Sequence, residues 1–105
     1  MGDIPEAVRD SVVVPRELCE LVPRFLAHRR AEVDRLREAL ERADFETVRS
    51  IGHAMKGAGA GYGFDEISAI GAALEALARS HDADGALAEV RRLRGFLAGV
   101  TVVFE

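Results

Sequence analysis

Apolar residues return every three or four positions along most of this chain, which is the spacing of amphipathic α-helices. Four such stretches follow one another. Their apolar positions are Leu18, Val22, Phe25, Val33, Leu36 and Leu40, then Phe45, Val48, Ile51, Met55 and Ala58, then Ile67, Ile70, Leu74 and Leu77, and last Leu87, Val90, Leu93, Leu97 and Val100. Arg29 fills the one gap in the first stretch. Four helices of this length with short connections predict an all-α fold, an antiparallel four-helix bundle that runs up-down-up-down.

Helix boundaries are predicted from capping residues and prolines. Aspartate is a favoured N-cap, and proline suits the first turn of a helix. The predicted starts are Pro15 for a short N-terminal helix, Pro23 for the first long helix (or for a kink in a continuous one), Asp44 for the next, Phe64 or Asp65 for the third and Asp82 for the last. The second long helix is expected to end near Ala60, because glycines at positions 57, 59, 61 and 63 surround Tyr62 and predict a turn.

The two ends of the chain are expected to meet at one end of the bundle. Val12 to Val14 precede a proline, which pushes the residue before it towards extended conformations. The tail from Thr101 to Phe104 also suits an extended segment, so a short strand pair of the two termini is compatible with the sequence. The chain of 105 residues is predicted to be one domain, with an N-terminal extension over 1–14, the bundle over 15–100 and a tail over 101–105.

Composition narrows the classes of function. The net charge of −4 argues against nucleic-acid binding, because phosphate backbones require a cationic surface. Cys19 is the only cysteine, so no internal disulfide can form and a reducing compartment is expected. No apolar run approaches the roughly 20 residues of a membrane span, and the first residues lack the pattern of a secretory signal. We therefore expect a cytoplasmic protein without nucleic-acid or membrane partners, and a monomer because nothing marks a dimer interface.

His53 is the candidate reactive residue. On a helical wheel at about 100° per residue, it lies opposite the apolar stripe that contains Ile51 and Met55, so we expect it to be exposed. Lys56, three residues later, is the single lysine among 14 cationic residues, and Gly57 lies one turn beyond His53. A neutral imidazole, whose reference pKa is about 6.5, is a nucleophile. An exposed imidazole that has an ammonium group beside it, and that another protein can approach without obstruction, is suited to carry a phosphoryl group.

Glu75 is the candidate partner for the second imidazole nitrogen. It lies on the flank of the apolar stripe of the following helix, beside Gly71. From there its carboxylate could accept a hydrogen bond from His53, and such pairing fixes the tautomer of the ring. A glutamate at this position could equally be a solvated helix residue. The sequence leaves both interpretations open.

A short motif connects these residues to a known family. The pattern His53-x-x-Lys56-Gly57, followed by Gly63, resembles the core motif of histidine phosphotransfer domains, the HPt family of multistep phosphorelays. The likeness continues in the next helix at Ile67, Ile70, Leu74 and Glu75. The resemblance implies the same bundle fold from Leu18 to Val100.

The resemblance also implies a role for each motif residue. His53 is expected to be the phosphorylated residue, Lys56 the cation near the phosphoryl group and Gly57 the small residue that gives access to it. Glu75 falls where family members often carry a Gln or Glu that hydrogen-bonds the histidine, and Gly63 serves the turn. The implied partners are receiver domains of response regulators, whose phosphoaspartate gives and takes the phosphoryl group, and a hybrid histidine kinase. Mg²⁺ is expected on the receiver, and no cofactor is expected in this chain.

Other activities lack their motifs in this sequence. Lys56-Gly57 precedes the glycines instead of ending a Gly-x-x-x-x-Gly-Lys loop, and no acidic trio is available for Mg²⁺. The chain is therefore expected to be a transfer intermediate and not an enzyme that uses ATP. His28, His53 and His81 lack metal-ligand spacing. The remaining alternative is a helical adaptor that binds receiver or kinase domains without phosphotransfer, in which His53 is dispensable.

Overall fold

Four helices form the body of the molecule, and two short strands join its ends. The structure, a computed structural model, describes residues 11–105. In chain order the elements are β1 (Ser11–Val14), a 3₁₀ helix (Arg16–Leu18), α1 (Val22–Glu41), α2 (Phe45–Tyr62), α3 (Asp65–Arg79), α4 (Ala83–Gly99) and β2 (Thr101–Phe104). The predicted all-α antiparallel bundle is confirmed, and its short N-terminal helix is the 3₁₀ helix. Residues 1–10 of the predicted N-terminal extension lie outside the described residues.

Capping groups mark the helix starts that the sequence predicted. At the start of α2, the Asp44 carboxylate accepts hydrogen bonds from the Thr47 amide at 3.1 Å and from the Thr47 hydroxyl at 2.6 Å. At the start of α4, the Asp82 carboxylate accepts one from the Gly85 amide at 2.9 Å. Pro23 lies in the first turn of α1, where an N–H group would have no partner inside the helix.

The prediction that α2 ends near Ala60 in a turn of four glycines is wrong. The helix continues to Tyr62 and includes three of these glycines, and Gly63 then leaves it in the left-handed conformation with φ of 83°. The Tyr62 ring stacks on Phe25 of α1 with the ring centroids 4.5 Å apart. Packing of this kind outweighs the roughly 1 kcal/mol that each glycine costs in a helix interior relative to alanine.

The two strands form a parallel ribbon at one end of the bundle. Val12 pairs with Val102 and Val14 with Phe104. The ladder extends one residue further, because the Glu105 amide donates to the Val14 carbonyl at 3.1 Å. The strand pair that the sequence left open is therefore present. It connects the segment before α1 to the segment after α4.

All four helices contribute to one apolar core. Leu36 of α1, Met55 of α2, Leu74 of α3 and Leu93 of α4 are fully buried. The most extensive contact between elements is that of α2 with α3, which brings side chains at the edges of these two helices within reach of one another. None of the helices between residues 11 and 105 has the length and apolar character that a membrane span requires.

Candidate functional site

His53 lies on the outer surface of α2. Its side chain is 66% exposed, whereas Met55 and Ile51 on the opposite side of the helix are buried in the core. The 3.6-residue periodicity of the helix produces this division, because a residue two positions from Met55 is turned about 200° away from it. The imidazole can therefore be reached by a macromolecule without any opening of the bundle.

Glu75 of α3 contacts the inner edge of the imidazole. Its Oε2 atom lies 2.9 Å from His53 Nδ1, and its Oε1 atom accepts a hydrogen bond from Lys56 Nζ at 3.1 Å. The Glu75 side chain is only 8% exposed. Of the two arrangements that the sequence left open for Glu75, the structure contains the contact with the histidine and not the solvated residue.

The cations around Glu75 keep it ionised. The hydrogen bond from Lys56 lowers the pKa of Glu75, burial opposes this by raising it, and the hydrogen bond to His53 lowers it further, so that the net change is downwards. An ionised carboxylate can only accept hydrogen bonds. His53 Nδ1 must therefore carry the proton of that contact, and in the neutral ring Nε2 then has a free lone pair. Among the described residues, Nε2 has no hydrogen-bond partner.

Arg79 belongs to the site, although the sequence reasoning missed it. Its guanidinium donates to Glu75 Oε2 at 3.3 Å, the same oxygen that contacts His53 Nδ1. Its side chain is 65% exposed. Arg79 follows Glu75 by four residues on α3, and residues at that spacing are neighbours on a helix surface. This spacing was the signal that could have identified it.

The two motif glycines have different surroundings. Gly57 lies in the interior of α2, and a Cβ atom added to it would meet nothing within 4 Å. The surface one turn beyond His53 is therefore open. Gly63 ends α2 with a positive φ of 83°, a conformation that residues with a side chain rarely adopt.

The lowered pKa of Glu75 predicts a loss of stability in acid. A carboxyl whose pKa is lower in the folded than in the unfolded chain contributes stability above its ordinary value, here 4.5, and loses that contribution as the pH falls through the folded value. We expect wild type to have a higher free energy of unfolding than Glu75→Gln at neutral pH, and the gap to narrow below pH 4.5. Urea titrations of both proteins across this range measure the gap. If the difference in the free energy of unfolding between wild type and Glu75→Gln does not change with pH, the ion pairs of Glu75 do not lower its pKa.

Nothing in the described part of the chain is arranged as a metal centre. Residues 11–105 contain no group of three or more histidine, cysteine or acidic side chains that could hold a metal ion. The other two histidines have separate surroundings. His28 lies on α1 beside Glu32, and the His81 ring stacks on Phe45 with the centroids 4.6 Å apart.

Comparison with known proteins agrees with this geometry. Residues 20–101 match the family model of the Hpt domain, which covers all four helices and the site. Searches of curated proteins and of solved structures gave no match. Hpt domains are phosphocarrier modules that take part in histidine phosphotransfer in phosphorelay signalling, with receiver and kinase domains as partners. Because the matched segment covers most of the chain, this protein belongs to the Hpt domain family.

Proposed function

We propose that His53 accepts a phosphoryl group from the phosphoaspartate of one receiver domain and passes it to the aspartate of another. The observation that carries this proposal is the 2.9 Å contact between Glu75 and His53 Nδ1, which leaves the lone pair of the exposed ring on Nε2. A hybrid histidine kinase is the expected source of the phosphoryl group upstream of the first receiver.

The transfer step needs no proton to leave the nucleophile. Nε2 attacks the phosphorus of the acyl phosphate, the N–P bond forms, the P–O bond to the aspartate breaks, and the aspartate leaves as a carboxylate. The phosphorylated ring then retains its proton on Nδ1 and carries positive charge. Glu75, which lies 2.9 Å from that nitrogen, stabilises this charge. In transfer to the next receiver, the N–P bond breaks and a P–O bond to the aspartate of that receiver forms.

In this proposal, two cations beside Glu75 bind the phosphoryl group. Lys56 and Arg79 each bind Glu75, and their side chains are 45% and 65% exposed. Both have the freedom to turn from the carboxylate towards phosphoryl oxygens on Nε2. The ammonium acts as a point charge, whereas the guanidinium can present two parallel N–H groups to two oxygens.

The receiver supplies the remaining groups. The open surface at Gly57 allows a receiver to approach the imidazole closely. We propose that Mg²⁺ is held by acidic residues of the receiver, and that this chain binds neither Mg²⁺ nor ATP. We also propose that the protein acts as a monomer in the cytoplasm, where its single cysteine remains reduced.

Phosphotransfer to the whole chain tests the proposal. The protein is incubated with phosphorylated receiver domains from the same organism, and the label is checked for the acid lability and base stability of an N–P bond. Peptide mapping by mass spectrometry is expected to locate the label at His53. A receiver that binds the protein but never labels it would favour the adaptor function instead. Label on a different residue would contradict the proposed phosphoacceptor.

Lys56→Ala is expected to slow transfer while the bundle remains folded. The role of Lys56 is electrostatic, and solvent screens a side chain that is 45% exposed. The loss should therefore be smaller than the roughly 100-fold that removal of a buried oxyanion donor costs. Lys56→Arg keeps the charge and is the matched control. Rapid-quench kinetics with one receiver measure the rates, and equal rates for Lys56→Ala and wild type would count against the role.

A further inference from the structure

The backbones of helices α2 and α3 lie very close together at glycines. A Cβ atom added to Gly71 of α3 would lie 2.5 Å from the backbone nitrogen of Lys56 and 2.7 Å from the carbonyl oxygen of Gly52, both in α2. Real Cβ atoms essentially never come within 3.0 Å of such atoms. The two backbones are therefore nearer here than any residue with a side chain would allow.

The close approach occurs at the level of the site. The backbone that Gly71 faces belongs to Lys56, one of the two residues that bind Glu75 from α2. From the other helix, a Cβ atom on Gly52 would lie 2.9 Å from the backbone nitrogen of Glu75 itself. Gly52 is adjacent in sequence to His53. The contact between the helices thus involves the backbone on both sides of the His53–Glu75 hydrogen bond.

We propose that Gly52 and Gly71 are positioning residues, which bring the Glu75 carboxylate within hydrogen-bond distance of His53 Nδ1 and so set the tautomer of the imidazole. The importance of that tautomer for phosphotransfer rests on the proposed function. Glycine is among the least favourable residues in a helix interior. The presence of Gly52 and Gly71 where the two helices meet beside the site therefore indicates that the backbones of α2 and α3 must lie close together there.

The distances set the size of the effect. An alanine at Gly71 must move about 0.5 Å to reach the shortest distance seen for real Cβ atoms, and the atoms it meets are backbone, which cannot rotate away. The hydrogen bond between Glu75 and His53 is 2.9 Å long, and N–H···O bonds in proteins lie between about 2.7 and 3.2 Å. If the two backbones move apart by about 0.5 Å at the glycines, the hydrogen bond between Glu75 and His53 lengthens beyond about 3.2 Å.

Gly59 offers a matched control on the same surface of α2. A Cβ atom there would lie 2.6 Å from the backbone nitrogen of Ser68, a steric conflict of the same severity. Ser68 precedes Glu75 by seven residues, which is about two helical turns. Gly59→Ala therefore places equal strain between the helices, but away from the carboxylate. Gly95→Ala, where a Cβ atom meets nothing within 4 Å, controls for the change of residue alone.

The experiment is ¹⁵N NMR of the full chain with labelled histidine, at a pH where the imidazole is neutral, because the two ring nitrogens then differ in shift according to which one carries the proton. Wild type is expected to show His53 as the Nδ1–H tautomer. Gly52→Ala and Gly71→Ala are expected to lose this single-tautomer signature while circular dichroism still reports helices. Gly59→Ala and Gly95→Ala are expected to keep it.

Three results would overturn the positioning role. Retention of the Nδ1–H tautomer in both site glycine variants would show that Glu75 does not depend on them. Equal loss in Gly59→Ala, or loss of the helical signal in both site glycine variants, would mean that the glycines support the bundle and not the site in particular. No receiver is needed for this measurement. A failure of phosphotransfer in wild type would therefore overturn the proposed function alone.

Discussion

Replacing His53 with glutamine is expected to abolish phosphorylation by receiver domains completely. The amide of glutamine retains a donor that can contact Glu75, but it has no nucleophilic nitrogen lone pair with which to form an N–P bond. The His53 side chain is 66% exposed and takes no part in the core, so the bundle should remain folded. The measurement is the acid-labile, base-stable label after incubation with a phosphorylated receiver, together with circular dichroism of the same sample.

His28→Gln provides a control for this substitution that the chain itself supplies. His28 is also an exposed imidazole, at 62%, beside a buried carboxylate, that of Glu32. Its ring nitrogen lies 3.8 Å from the carboxylate, too far for a hydrogen bond, and Glu32 is paired with Arg29. We therefore expect His28→Gln to label as wild type does. If His53→Gln keeps some label, and this label disappears when His28→Gln is added, then His28 accepts the phosphoryl group. That result would contradict His53 as the phosphoacceptor.

The fold could be predicted because helical periodicity is a local property of the sequence. Each long helix repeats its apolar residues every three or four positions, and aspartates mark two of the starts. The extent of α2 could not be predicted in the same way. The segment that ends at Tyr62 is rich in glycine, and it is helical because of contacts with α1 and α3 that are remote in sequence. Local propensity alone therefore places the end of α2 near Ala60, about two residues too early.

The candidate site likewise has a part that follows from local spacing and a part that depends on how two helices pack. His53, Lys56 and Gly57 could be identified because they lie on one helix, where spacing fixes their relation to one another. The contact of Glu75 with His53 depends on the rotation and the separation of two helices, and neither quantity follows from spacing along one helix. In the sequence, Gly71 is only a small residue beside Glu75, and its close packing against α2 becomes visible only in the folded helix pair.

Phe64→Ala is expected to cause the largest loss of stability, about 3–5 kcal/mol in the free energy of unfolding. Phe64 is fully buried and is the largest of the completely buried side chains. Its ring stacks on Phe25 of α1 at a centroid distance of 5.0 Å, and its backbone carbonyl accepts a hydrogen bond from the Ser68 amide at the start of α3. Truncation to alanine removes apolar surface from the core and leaves a cavity where the α2–α3 connection meets α1.

Urea denaturation followed by circular dichroism measures this effect, with Val13→Ala as the control. Val13 is 54% exposed, so its truncation should change the free energy of unfolding by no more than about 0.5 kcal/mol. A cost below about 1 kcal/mol for Phe64→Ala would contradict the packing described for this end of the bundle. Phosphotransfer by the folded fraction of Phe64→Ala should persist, because Phe64 contacts neither His53 nor Glu75 through any hydrogen bond or ring contact. Phe64→Ala is thus expected to lower stability without abolishing transfer, whereas His53→Gln is expected to abolish transfer without unfolding the bundle.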